Sequence, residues 1–159
     1  MNAKINIQRA TVNDADEVAV MVGELLNEIM SAIGVNVFNF SLDETTARLK
    51  DFIESEKYFV FIAQHESADP VGFVTLFEGH ALYAEGAFGT IPELFVRSEF
   101  RSKNVGRQLV EQAKTFGKAR GWKRMEVTTP PLPQFDKTLA FYEREEFAIS
   151  GGRKLQVAL

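Results

Sequence analysis

The chain contains no cysteine. That excludes disulfides, a thiolate zinc site and a cysteine nucleophile, and it fits a reducing compartment. There are only two histidines, His65 and His80, far apart in loop-like contexts, so surface roles are expected for both and a metal site is not. No uninterrupted apolar run approaches the length of a membrane span. The start, MNAKINIQRATVNDADE, lacks the apolar stretch of a signal peptide, so the chain reads as cytoplasmic and not membrane-bound. No G-x-x-x-x-G-K-[ST] and no G-x-G-x-x-G occurs, which removes the P-loop and the dinucleotide fingerprint. The net charge of −4 argues against a general nucleic-acid binder.

What is present is a length of 159 residues, suited to a single domain spanning 1–159, with no internal repeat or linker. Fourteen phenylalanines are many for that length, and most are expected in the core. Charge is distributed unevenly. Residues 97–124 carry nine basic and two acidic side chains, whereas residues 10–56 carry ten acidic ones against Arg48 and Lys50. Two differently charged faces can prepare two sites, or can simply be two solvated helix faces.

Along the chain, KINIQRA alternates and predicts a first strand. NDADEV opens a helix, with Asn13 or Asp14 able to cap it, and Val18, Val22, Leu25, Leu26, Ile29 and Ile33 on one face. Gly34 is placed to end it. A second helix, SLDETTARLKDFIES, has Ser41 and Glu44 spaced as a capping box. KYFVFIAQ and PVGFVTLFE, separated by HESADP, predict a hairpin. EGHALYAEGAFG reads as a glycine-containing loop and TIPELFVRS as the next strand. Val105, Leu109, Ala113 and Phe116 mark a helix ending near ARGW, where Trp122 is expected to pack at a helix–strand corner. KRMEVTT predicts a strand, PPLPQ a break, DKTLAFYEREEF a helix and RKLQVAL a last strand. The order β-α-α-β-β-β-α-β-α-β is that of an α/β protein with a mixed sheet and helices on both faces.

RSKNVGRQLV, residues 101–110, gathers three basic side chains where a helix begins. Amides at a helix start are unpaired and carry partial positive charge, which suits a phosphate. Gly106 lets a ligand approach the backbone, Asn104 tolerates a left-handed conformation, and Arg101, Lys103 and Arg107 supply charge. The stretch is chemically sensible as a diphosphate clamp.

ELFVRSEFRSKNVGRQLV, followed about thirty residues later by AFYEREEF, resembles the GNAT N-acetyltransferase superfamily. That family has a strand ending near L-x-V, then R/Q-x-x-G-x-G/A opening a helix, and later F-Y-x-x-x-G-F. Three positions depart from the pattern. Asn104 replaces the first glycine of the clamp, Glu146 the glycine near the end of the second motif, and Phe135 a frequent asparagine.

The resemblance implies a splayed sheet and direct transfer of an acetyl group from acetyl-CoA to an amine. By resemblance the pyrophosphate lies on Arg101, Ser102, Lys103, Asn104, Val105, Gly106 and Arg107, and the pantetheine arm pairs with the strand edge at Leu94, Phe95 and Val96. The amide near Val96 would polarise the thioester carbonyl. Glu93 is the candidate base that frees the acceptor amine of a proton, and Tyr142 matches the family's acid position. Each has a bland counterpart, since Tyr142 could be core and Glu93 a partner of an arginine. The acids of the first two helices, Glu24, Glu28, Asp43 and Glu44, point to a small cationic acceptor, and a homodimer is the family-based expectation. Two other classes compete: an acyl-CoA-binding sensor without catalysis, and a nucleic-acid binder using residues 97–124.

Overall fold

A computed structural model describes residues 4–67 and 69–159; residue 68, within the HESADP turn, lies outside them. The elements are β1 (Ile5–Arg9), α1 (Ala15–Ile33), α2 (Leu42–Glu54), β2 (Phe59–His65), β3 (Pro70–Ala81), β4 (Gly86–Ile91), β5 (Leu94–Val96), α3 (Val105–Ala119), β6 (Met125–Val127) and α4 (Asp136–Arg144). They form two compact units, Met1–Thr128 and Thr129–Leu159.

In the first unit the sheet runs β1-β2-β3-β4-β6, with β5 also paired to β3. All pairings are antiparallel except β4–β6, which is parallel, so the sheet is mixed as expected. β2 is buried on both faces. Phe59 and Phe61, on one face, meet Phe116 of α3 at ring distances of 4.8 and 5.6 Å. Val60 and Ile62, on the other, are also buried.

Local chemistry explains the helices. Thr11 caps a short 3-10 turn and exchanges hydrogen bonds with Asp14 in a capping box, and α1 follows directly. Gly34 ends α1 in a left-handed conformation at φ 71°, which a glycine adopts without steric penalty. Ser41 caps α2 by accepting from the Glu44 amide at 3.3 Å. On α3, Val105, Leu109, Val110 and Ala113 are buried at helical spacing. Each Val or Leu removed from water there stabilises by roughly 1.5–3 kcal/mol.

Three sequence expectations change. EGHALYAEGAFG is not a loop: β3 continues to Ala81 and β4 begins at Gly86, so most of the stretch is a hairpin. Gly79 and Gly89 lie inside these strands because rings occupy the space a Cβ would take, Phe88 at Gly79 and Trp122 at Gly89. TIPELFVRS is not one strand but parts of two, broken at Pro92–Glu93. RKLQVAL forms no strand, since a strand exists only in a ladder and this stretch pairs with no described residue. Its alternating Leu155, Val157 and Leu159 are exposed.

The second unit carries α4. Its end answers the departure at residue 146: Glu146 itself takes the left-handed conformation, φ 75°, that the family's glycine would supply. The Phe147 amide reaches back to the Tyr142 carbonyl at 3.0 Å and closes the helix end.

Candidate active site

The break at Pro92–Glu93 organises the site. β4 and β5 follow one another along the same edge of β3. Phe77 pairs with Thr90, and the Thr75 amide donates to the Glu93 carbonyl at 2.9 Å. Between these two pairings β3 has one residue and the opposing chain has two, which is a β-bulge. Without the extra residue, Pro92 would stand opposite Thr75. With it, Glu93 does, on the same face as Thr75 and Phe77.

The bulge also parts the sheet. β4 keeps parallel pairing with β6 up to Ile91 and Val127, whereas β5 continues on β3 alone. The Arg97 amide donates to the Val71 carbonyl at 2.8 Å, so residues 93 and 97 turn their backbone groups toward β3. By antiparallel alternation Phe95 does likewise, and its ring packs near Phe73 at 6.4 Å. Leu94 and Val96 turn their backbone groups the other way, to an open edge. Of the three strand residues expected at a pantetheine arm, Leu94 turns both backbone groups and Val96 its amide to this edge with no backbone partner among the described residues, the Val96 carbonyl accepts from Arg101, and Phe95 presents none.

Downstream lies the basic stretch. Ser102 (φ 60°) and Asn104 (φ 65°) both adopt the left-handed conformation, and Asn104 stands at the start of α3 as the backbone argument required. Gly106 lies in the first helical turn, so its use there is the missing side chain rather than a special φ. The first helical hydrogen bond runs from the Gln108 amide to the Asn104 carbonyl, 3.0 Å. The amides of Val105, Gly106 and Arg107 precede it and have no acceptor within the helix. Lys103 and Arg107 are exposed, with the Lys103 ammonium over the Phe100 ring at 5.6 Å. These features fit an anionic diphosphate.

Arg101 is more constrained. Its Nε donates to the Val96 carbonyl at 2.7 Å, its Nη2 pairs with Glu28 at 2.8 Å, and its guanidinium lies over Phe95 at 5.6 Å. One turn earlier on α1, Glu24 forms a bidentate pair with Arg97. Glu24 and Glu28, read in the sequence as acceptor-side acids, are thus engaged by arginines from the other half of the unit.

Glu93 is held by side chains that sequence reasoning did not single out. The Thr75 hydroxyl donates to Oε1 at 2.6 Å and accepts from the Glu93 amide at 3.0 Å. The Tyr58 hydroxyl lies 3.4 Å from Oε2. Burial raises the Glu93 pKa above the ordinary carboxylate value, partly offset by the hydrogen bonds from Thr75 and Tyr58. A carboxylate moved this way is closer to the range in which it can take up a proton near neutral pH. Tyr58 packs between Phe52 at 5.0 Å and Phe77 at 6.4 Å, and burial raises its pKa too. With Phe52, Phe77, Glu78 and Arg120 it lines an open cleft of about 370 Å³. A signal for Thr75 was present: it is the one polar residue within the apolar run GFVTLF.

In the second unit Tyr142 is buried, with its ring 5.3 Å from Phe141 and 5.4 Å from Phe147. Burial raises its pKa and keeps the phenol protonated, so it can donate. Trp122 packs as expected at the α3–β6 corner, and its Nε1 donates to Glu78 at 2.6 Å. Among the described residues no group of three or more His, Asp or Glu is placed to hold a metal, and no helix is long and apolar enough to cross a membrane.

Comparison with known proteins bears on this arrangement. No curated protein sequence matches the chain significantly. Solved structures do match in fold. An aminoglycoside acetyltransferase from an uncultured soil metagenomic sample, in complex with trehalose, superposes with a TM-score of 0.76 at 19% identity, covering 98% of this chain and 96% of that one. An integron cassette protein from the mobile metagenome of Cole Harbour Salt Marsh gives 0.79 at 21% identity over 96% and 90%. A ribosomal-protein-alanine N-acetyltransferase from Brucella melitensis biovar Abortus 2308 gives 0.74 at 15% identity over 98% and 100%. At such identities the likeness is one of fold. The sequence profile of the acetyltransferase (GNAT) family matches residues 22–147, a span that takes in the bulge, the open strand edge, the start of α3 and Tyr142. With that match and this fold together, the chain belongs to the acetyltransferase (GNAT) family.

Proposed function

We propose that the chain is an acetyl-CoA-dependent N-acetyltransferase acting on the primary amine of a small cationic acceptor. The observation that carries the proposal is the run from 93 to 107, where a bulged carboxylate, an open strand edge and an uncapped helix start follow one another. The family match crosses the boundary between the two compact units, which supports reading residues 1–159 as one domain.

In this reading the amides from Arg101 to Arg107, with the side chains of Arg101, Lys103 and Arg107, hold the pyrophosphate. The open edge at Leu94 and Val96 holds the pantetheine arm. Acetyl-CoA supplies an acetyl group activated as a thioester. The Val96 amide donates to the acyl oxygen, where negative charge develops. An ordinary lysine-type amine, with a pKa near ~10.4, must lose a proton before it can attack, and Glu93 accepts it directly or through water. Tyr142 is the protonated phenol that serves as acid. Absence of cysteine is compatible with direct transfer and with a cytoplasmic setting.

The cationic acceptor now rests on less than the sequence alone indicated. Glu24 and Glu28 are paired with arginines, and Asp43 and Glu44 lie in the first turn of α2, where acids favour the helix dipole. What supports it is the company of aminoglycoside acetyltransferases among the similar structures. The exposed alternation of Leu155, Val157 and Leu159 supports a homodimer, since such a stretch gains partners by pairing.

The test is calorimetric titration with acetyl-CoA, followed by thiol release with a panel of primary amines. Micromolar binding, lost in an Arg101→Glu/Gly106→Asp double variant that still folds, is expected. Binding without thiol release from any amine would make the chain an acyl-CoA sensor. No binding by the intact chain, with salt-sensitive DNA affinity instead, would point to the basic segment as a nucleic-acid surface.

A further inference from the structure

We infer that Thr75 and Tyr58 are positioning residues for Glu93: Thr75 fixes Oε1, and Tyr58 covers Oε2, the oxygen that takes the proton. This rests on the reading of Glu93 as the base.

Thr75 is 1% exposed, the one buried polar or charged residue among the described residues. Its hydroxyl has one proton to give, and two acceptor oxygens of Glu93 lie within reach. Oε1 is at 2.6 Å and the backbone carbonyl at 3.4 Å, so the proton belongs to Oε1. The same hydroxyl accepts from the Glu93 amide at 3.0 Å, while the Thr75 amide donates to the Glu93 carbonyl at 2.9 Å. One buried residue thus holds the amide, the carbonyl and one carboxylate oxygen of Glu93. The carboxylate cannot turn without breaking a short, charge-assisted bond.

Oε2 is different. Its one hydrogen-bond partner among the described residues is the Tyr58 hydroxyl at 3.4 Å, longer than a well-made O–H···O bond. Tyr58 is fixed by its neighbours Phe52 and Phe77 rather than by Glu93. The loose contact leaves lone-pair capacity on Oε2, and a water or an amine can displace the hydroxyl at little cost. Tyr58 is therefore a neutral cover that yields, whereas Thr75 is a clip that does not.

Among the described residues no positive charge competes for the carboxylate. From the β2 side the facing titratable group is Tyr58, and from β3 the facing group is Thr75, which is neutral. α1 brings Glu24 and Glu28 to the far end of β5, where Arg97 and Arg101 neutralise them. Glu93 has no ion-pair partner among the described residues, and burial is what raises its pKa.

The experiment is a carbon-13 NMR titration of the full chain labelled at the glutamate side-chain carboxyl carbon. The Glu93 signal is assigned by its disappearance in Glu93→Gln. Thr75→Val removes the charge-assisted donor and is expected to move the Glu93 titration up by about one pH unit. Thr75→Ser, which keeps the hydroxyl, is expected to titrate close to wild type. Tyr58→Phe, which keeps the ring, moves it up by less than Thr75→Val does. An unmoved titration in Thr75→Val would reduce Thr75 to core filling. A larger shift in Tyr58→Phe than in Thr75→Val would reverse the two oxygens. If Thr75→Val does not fold, a Tyr58→Phe shift of a full unit or more overturns the inference, because the cover would then be the tight partner.

Thiol release from acetyl-CoA with spermidine, kanamycin and lysine separates this inference from the reading beneath it. Wild-type release by Glu93→Gln would remove the base reading whatever the NMR result. Loss of release in Glu93→Gln, with an unmoved titration in Thr75→Val, would remove the positioning inference alone.

Discussion

Gly72→Ala puts the β3–β5 contact to the test. Gly72 faces Val96 across the ladder, and an added Cβ would stand 2.6 Å from the Phe95 carbonyl oxygen and 3.2 Å from the Val96 Cα. Ordinary contact begins at 3.4 Å, and both atoms are backbone, so no side chain can swing aside. β5 would have to withdraw by about 0.8 Å, the difference between the two distances. That stretches the bond by which the Phe95 carbonyl accepts from β3. Opposing this, replacing a strand glycine by alanine gains about 0.5–1 kcal/mol in conformational entropy. Overpacking costs about 1–3 kcal/mol, and each weakened backbone hydrogen bond about 1 kcal/mol. The clash wins, for a net loss of about 2 kcal/mol, or a Tm lower by roughly 4–8 °C for a chain of this size. Acetyl-CoA affinity should fall by about tenfold, since the displaced strand carries the open edge. Circular-dichroism melting and calorimetric titration measure both. Gly79→Ala is the comparison, because its Cβ meets only the movable tip of the Phe88 ring at 2.8 Å, and its loss should be less than half as large. A Gly72→Ala chain that melts at or above the wild-type temperature would refute the reasoning.

Four further outcomes are expected. Burial raises the Glu93 pKa, so the stability linked to its protonated form is present below the ordinary carboxylate value and is lost as pH rises through the raised value. Glu93→Gln, neutral throughout, should therefore raise Tm at about pH 8 and much less at about pH 4; an equal gain at both would contradict this. Gly106→Asp places a carboxylate beside the first amides of α3 and should weaken acetyl-CoA binding about tenfold with little change in Tm. Glu146→Gly should stabilise by about 1 kcal/mol by relieving the left-handed side chain, read by urea melting. Gly89→Ala would set a Cβ into the Trp122 ring, so its penalty of about 1–3 kcal/mol should shrink in a Trp122→Leu background; equal penalties in both would show that the ring is not the obstacle.

The parts of the fold set by near neighbours were legible. Gly34, the Ser41–Glu44 cap and the apolar stripe of α3 are decided within four residues of one another, and all three stand where the spacing put them. What a distant partner decides was not legible. Glycines at 79 and 89 signal a loop until Phe88 and Trp122 are seen to fill their missing side chains. RKLQVAL alternates as a strand does, but alternation does not supply the neighbour that makes one. The clamp could be read because its chemistry is contiguous from 101 to 107. Glu93 was visible as a residue but not as a site, because Thr75 and Tyr58 lie 18 and 35 positions away. The same distance hid the arginine partners of Glu24 and Glu28, 73 positions apart in the case of Arg97 and Glu24.

The open side of β5 has a colloidal consequence. Unpaired strand backbone invites any extended peptide to add itself, which is how soluble proteins begin to associate. Two features of this chain restrain that. β5 is only three residues long, and the Arg101 guanidinium sits on the Val96 carbonyl, a charged stopper on the strand that an incoming chain would have to dislodge. A ligand lying along Leu94 and Val96 would complete the protection. Acetyl-CoA should then suppress heat-induced light scattering beyond what its effect on Tm accounts for, and Arg101→Ala should aggregate sooner than wild type at equal stability. Scattering that simply follows Tm in every sample would show that this edge is not where aggregation starts.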